Sequence, residues 1–153
     1  MLRRLIFTRN DWAPAIARLV LGLVILPHGL QKLFGMFGGP GWSGAIGFLT
    51  GMLHVPYPLA VLAILAETAG ALALILGFLG RVGAFGVAVN MLVATFLVHW
   101  PNGFFMNWGG NQKGEGFEYH ILAVGLALIV MLAGSGAASV DLALSRRGPG
   151  RNS

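Results

Sequence analysis

Cysteine is absent from the 153 residues and charge is scarce, with five acids against ten Lys or Arg, only 10% of the chain. Without a thiol there is no disulfide, no thiolate nucleophile, and no Cys-ligated zinc, iron–sulfur or c-type haem site. Redox chemistry, if present, runs through a bound cofactor or a partner. The chain also lacks a phosphate-binding Walker loop, a dinucleotide fingerprint, a serine-nucleophile elbow and a His-Glu-x-x-His pair, which removes conventional soluble-enzyme chemistry. Soluble domains carry about a quarter charged residues. A tenth is too little to clothe a soluble surface.

What is present is apolar: 56% of residues are hydrophobic. This is the composition of an integral membrane protein, and 153 residues give room for one domain over 1–153. The net charge of +5 does not point to nucleic acid, because the basic residues sit at helix ends and tails rather than in an aromatic-interleaved patch. They orient the chain in a bilayer instead.

Four apolar segments follow one another, about 14–37, 58–78, 82–99 and 117–132. Asp11-Trp12-Ala13-Pro14 supplies an N-cap and a first-turn proline for the first of them. Arg18 and Lys32 bracket its uncharged centre, ~21 Å apart on a helix, so that each is expected to snorkel to its own interface of a ~30 Å hydrocarbon core. A basic start before a short apolar run also resembles a signal peptide, but no A-x-A-like cleavage site follows. Gly38 to Tyr57 is broken by Gly-Gly-Pro-Gly and by Pro56 and Pro58, and Trp42 to Leu53 is expected as a short helix lying in the interface. Asn102 to Gly116 is a polar loop with aromatic anchors.

The expected fold is therefore all-α: a polytopic four-transmembrane-helix bundle with both termini on one side. Arg3, Arg4, Arg9, Arg18, Arg81, Arg146, Arg147 and Arg151 fall on that side and only Lys32 and Lys113 on the other, so both termini are expected to be cytoplasmic.

Polar groups at membrane depth are costly and mark candidate sites. Pro27-His28-Gly29-Leu30-Gln31-Lys32 bunches an imidazole, a carboxamide and an ammonium near the end of the first span, with His28 and Lys32 on one helix face. Glu67 falls near the middle of the second span, Asn90 halfway along the third, His99 at its end, and Glu118 and His120 at the start of the fourth. Topology gathers His28, Gln31, Lys32, Glu67, His99, Glu118 and His120 on the non-cytoplasmic half. Each also has a plainer reading: Glu67 and Asn90 as interhelical hydrogen-bond partners, His28 as a packing histidine, Lys32 as an end anchor, His99 in an interfacial belt, and Glu118 as a first-turn acid. No pair has metal-ligand spacing, and no metal site is expected.

Arg18 with Gly22, His28-Gly29-x-x-Lys32, Glu67-x-x-Gly70 with Gly77 and Arg81, then Met91 and His99, resemble the DoxX family of small four-helix bacterial membrane proteins. The resemblance runs from about Ala17 to His99, with Ser139-Val140-Asp141 agreeing more loosely. It implies a multi-pass protein of the bacterial plasma (inner) membrane, whose family-like polar positions are His28, Lys32, Glu67 and His99. The family takes its name from a subunit of a thiosulfate:quinone oxidoreductase. Together, resemblance and residues lead to a membrane subunit of, or by itself, a quinone-linked oxidoreductase. Its outer-half pocket would use His28, Gln31, Lys32, Glu67 and His99 to hold a quinone, with His28 or Lys32 on a carbonyl oxygen and Glu67 exchanging a proton. The alternatives are a non-catalytic assembly subunit docking other proteins or a second copy through the 103–116 loop, and a small-solute transporter.

Overall fold

A computed structural model describes residues 5–146, and every described element is helical, with no strand among the described residues. Arg3, Arg4, Arg147 and Arg151 of the charge count lie outside them. Helix α1 spans Trp12–Phe34, opened by Asp11, whose side chain accepts from the Ala13 N–H at 2.9 Å, and closed by Gly35 in the left-handed conformation. A 3-10 turn at Met36–Gly38 leads into α2, Gly41–Gly47, which continues as a π turn over Phe48–Met52. Thus the segment expected to lie in the interface is a helix of two pitches.

Two further long helices follow, α3 over Tyr57–Leu76 and α4 over Gly80–Asn102. With α1 they are, among the described residues, the three helices long and apolar enough to cross a membrane. Helix α4 runs beyond the expected end at 99, because Pro101 starts nothing that needs its missing N–H: it sits in a closing 3-10 turn, Trp100–Asn102. Helix α5, Glu118–Ala133, is apolar but has only 16 residues, ~24 Å of rise. A short helix α6, Val140–Arg146, ends the described chain.

Small residues set how these helices meet. A Cβ on Gly22 would lie 2.9 Å from the Ala71 carbonyl oxygen, and one on Gly29 would lie 2.6 Å from that of Glu67, so α1 rests backbone against backbone on α3. Gly83 makes the same approach to the Gly70 oxygen between α4 and α3. Leu21, Leu74, Val87 and Val130, one from each of α1, α3, α4 and α5, share the central core. Outward, large apolar side chains such as Leu23, Leu62, Phe85 and Leu122 remain exposed, as lipid-facing side chains do.

The bundle has two unlike ends. At one, the Gly136 N–H donates to the Thr8 hydroxyl at 2.7 Å and the Ala137 N–H to the Asp11 carbonyl at 2.8 Å, so the lead-in before α1 and the chain after α5 are tied together. At the other lie Lys32, the 38–57 connection, His99 and the 103–117 loop.

Candidate functional site

The site begins with an irregularity in α3. Residues Ala66–Gly70 form a π turn, which shifts the helix phase by one residue and turns Glu67 and Thr68 inward. Thr68 secures the turn by donating to the Ile64 carbonyl at 2.7 Å. Gly29 lets α1 approach Glu67 closely, and one turn further along α1 the Lys32 ammonium reaches across to the Glu67 Oε2 in a short ion pair. Asn90 of α4 donates its carboxamide to the other oxygen, Oε1, at 2.8 Å. Glu67 is 5% exposed, yet both its oxygens are satisfied, by two helices.

This cluster forms the polar floor of a large groove. The groove, about 1280 Å³, lies between α3 and α4 and is roofed by the α2 π turn and the chain to Pro56. Its walls are aliphatic and aromatic, among them Phe48, Leu53, Leu62 and Val93; its polar lining includes Lys32, Glu67, Asn90, His54 and His99. A second π turn, Thr95–His99, brings His99 to the groove, and Thr95 donates to the Met91 carbonyl at 2.8 Å behind it. Both π turns of the long helices therefore open onto the same space. An amphipathic ligand with a polar head and an apolar tail matches such a lining.

The other polar residues of this end are arranged differently. His28 is exposed and does not line the groove; its ring centroid lies 6.4 Å from that of Tyr119 on α5. Gln31 turns away, its carboxamide directed at the Phe37 carbonyl at 3.5 Å. His99 meets His120 with ring centroids 4.1 Å apart, while its Nδ1 lies 2.9 Å from the Glu115 carbonyl oxygen. Glu118 accepts from the Met106 N–H at 2.9 Å and Glu115 from the Asn107 N–H at 2.7 Å, so these two acids fold the outer loop. Among the described residues no three His, Asp or Glu side chains converge as a metal cage.

Residues 13–100 match the DoxX family. The chain belongs to the DoxX family. It is also similar to the inner membrane protein YqjF of Escherichia coli (strain K12), 28% identical over 138 residues, which cover 90% of this chain and 96% of YqjF. No solved structure matches. With its three long apolar helices, this DoxX protein is a multi-pass protein of the inner membrane, in contact with the lipid bilayer.

The end opposite the groove shows what the sequence did not reveal about this DoxX chain. Arg18, expected to snorkel, is 1% exposed and donates to five backbone carbonyls, those of Leu74, Ile75, Ser135, Ala137 and Ala138, at 2.7–3.1 Å. Three of these follow α5 and two lie in the last turn of α3, where carbonyls run short of helical partners, although that of Leu74 also accepts from the Gly77 N–H at 3.1 Å. Arg81 does the same for the end of α5, donating to Met131 at 3.0 Å and Leu132 at 3.1 Å, and also to the Phe7 carbonyl. Asp141 complements them from the other sign: it accepts from the Leu79 and Gly80 N–H groups at 2.9 and 3.1 Å and from the Ser135 hydroxyl at 2.5 Å. Gly77, at φ 63, leaves the space that Ser139 and the Arg18 guanidinium fill. The one sequence cue was an arginine set a full turn and more inside an apolar run. Nothing local marked Tyr119.

Proposed function

We propose that the chain is a single-domain, four-span DoxX bundle that serves as, or within, a quinone-linked oxidoreductase, with the groove as its quinone site. Helix α5 would span with the help of the aromatic loop before it. The joining of the lead-in to the chain after α5 supports termini on one side, and the arginine excess at that end supports the cytoplasm. The observation that carries the quinone reading is the Lys32–Glu67–Asn90 cluster at the floor of an apolar groove with His99 on its rim.

Bound there, a quinone supplies the capacity to take up two electrons, from a reduced donor on a partner subunit, and two protons. Lys32, partly exposed to the groove, donates a hydrogen bond to one carbonyl oxygen and places positive charge where negative charge develops. Glu67 holds Lys32 in that position and accepts or releases a proton as the local charge changes. Asn90 fixes the carboxylate plane. The apolar walls exclude water and accept the tail. His28 and Gln31, facing elsewhere, would act on the quinone only through a rearrangement of the end of α1.

The test is replacement of Glu67 by Gln, Lys32 by Met and His28 by Ala in membranes, with quinone binding and quinone-dependent turnover measured. Loss of turnover in the first two supports the site; unchanged values for both in folded protein reject it.

A non-catalytic assembly subunit is favoured by one observation, the complete satisfaction of Glu67 by two neighbouring helices, which is what a bundle lock requires. Gentle extraction separates the two readings. A bundle isolated with quinone and without a partner speaks for the first, and a stable complex without quinone for the second.

A further inference from the structure

Tyr119 and His120 open α5 and take no part in the groove cluster, yet both bury polar atoms. The Tyr119 hydroxyl and the His120 Nδ1 are enclosed by protein and meet no hydrogen-bond partner among the described residues. His120 is 6% exposed, so its ring is committed to the interior. An unpartnered buried polar atom costs about 1–3 kcal/mol, and two side by side on one helix are not an accident of packing.

Their surroundings form a row. Along it come the Glu115 carbonyl, His99, His120 and Tyr119. His99 Nδ1 faces the carbonyl at 2.9 Å; the His99 and His120 centroids are 4.1 Å apart, and those of His120 and Tyr119 are 5.5 Å apart. A carbonyl only accepts, so His99 carries its proton on Nδ1 and leaves Nε2 as an acceptor. The Tyr119 end of the row lies beside the part of α1 that packs on Glu67, where Gly29 meets the Glu67 backbone. His28, with its ring centroid 6.4 Å from that of Tyr119, flanks the same end.

We propose that internal water completes the hydrogen bonding of Tyr119 Oη and His120 Nδ1 and makes Tyr119, His120 and His99 a proton path from the neighbourhood of Glu67 to the outer loop. Each imidazole accepts a proton on one nitrogen and releases one from the other, and Tyr119 accepts on its oxygen as it donates its own hydrogen. With His99 accepting on Nε2 and releasing its Nδ1 proton to water at the loop, one proton moves outward and no net charge stays on the row. Tyr119 and His120 relay the proton without lining the groove. The use made of the proton rests on the quinone reading, whereas the water and the path do not.

The test uses the full chain in lipid nanodiscs, labelled with 15N-histidine and 13C-tyrosine. Magnetisation transfer from water to the His120 ring and to Tyr119 is expected, with exposed His54 as a positive control. Absence of transfer at His120 while His54 shows it overturns the proposal. The second arm measures the exchange rate between water and the His120 ring N–H in His99→Phe. A fall of at least ~tenfold is expected, and an unchanged rate overturns the path. If His99→Phe does not fold, His99→Gln provides the same comparison, because a carboxamide keeps the loop hydrogen bond but cannot pass a proton between two ring nitrogens. Neither arm needs quinone, so a positive result without quinone turnover refutes the redox assignment and leaves the path standing.

Discussion

The Arg18 guanidinium and the Ser135 carbonyl, 117 residues apart in the chain, are joined by a 2.7 Å hydrogen bond at the core of the arginine-rich end. The same side chain reaches α3 and the segment after α5, so one residue of α1 ties three parts of the bundle.

Replacing Arg18 by Ala removes a charged donor from five carbonyls, of which that of Leu74 keeps the Gly77 N–H, and hydrogen bonds to a charged group contribute about 1.5–3 kcal/mol each. A loss of about 4 kcal/mol or more is expected, measured by reversible unfolding in mixed micelles. Arg18→Lys recovers only a minor part, because an ammonium has three donors and no planar fork. Full recovery by Lys contradicts the geometry described.

Gly29→Ala pushes a methyl to within 2.6 Å of the Glu67 carbonyl oxygen, which is backbone and cannot move aside. Overpacking of this kind costs about 1–3 kcal/mol and separates Lys32 from Glu67. Gly47→Ala is the matched control: its added methyl meets nothing within 4 Å. It is expected to leave the melting temperature unchanged or to raise it slightly. Equal effects at the two positions refute the close approach.

Lys32 and Glu67 are unequally exposed, 33% against 6% at the side chain, and their substitutions are unequal in consequence. Lys32→Met strands a buried carboxylate, with only Asn90 to hold it, and costs more than Glu67→Gln, which leaves an ammonium able to reach the interface. A double-mutant cycle read by unfolding is expected to give a coupling of about 1–3 kcal/mol. Additive effects rule out a structural role for the pair.

Asp141→Ala removes the acceptor for the Leu79 and Gly80 N–H groups and for the Ser135 hydroxyl, at a position 1% exposed. The loss of such a cap is expected to cost about 1–3 kcal/mol, and Asp141→Asn, which keeps one acceptor oxygen, about half of that. Thermal denaturation of the three proteins in detergent decides it.

The long apolar helices were legible because hydropathy sums over some twenty residues and needs no partner. That Lys32 and Glu67 fall on the same half of the bundle was legible too, since helix rise converts sequence position into height. Height is not direction. The sequence put His28 and Lys32 on one face, but the short imidazole stays near α5 while the long ammonium stem crosses to α3. The π turns at Ala66–Gly70 and Thr95–His99 were invisible because their cause is tertiary: they turn Glu67 into the core and His99 toward α5. Arg18 looked like an interfacial anchor for the same reason. Its five acceptors come from Leu74 onward, and no window around residue 18 contains them.

That distance also sets a schedule. Ribosomes add roughly 5–20 residues per second, so the guanidinium of α1 exists for on the order of ten seconds before Ser135 and its neighbours are made. During that interval an unpaired cation stands near the entrance of the first span, and the translocon, lipid phosphates or a chaperone must shelter it. The last carbonyls synthesised release it. Closure of the arginine-rich end is thus a late event in biogenesis, and a chain cut short before residue 135 leaves the membrane with an open bundle that quality-control proteases can recognise.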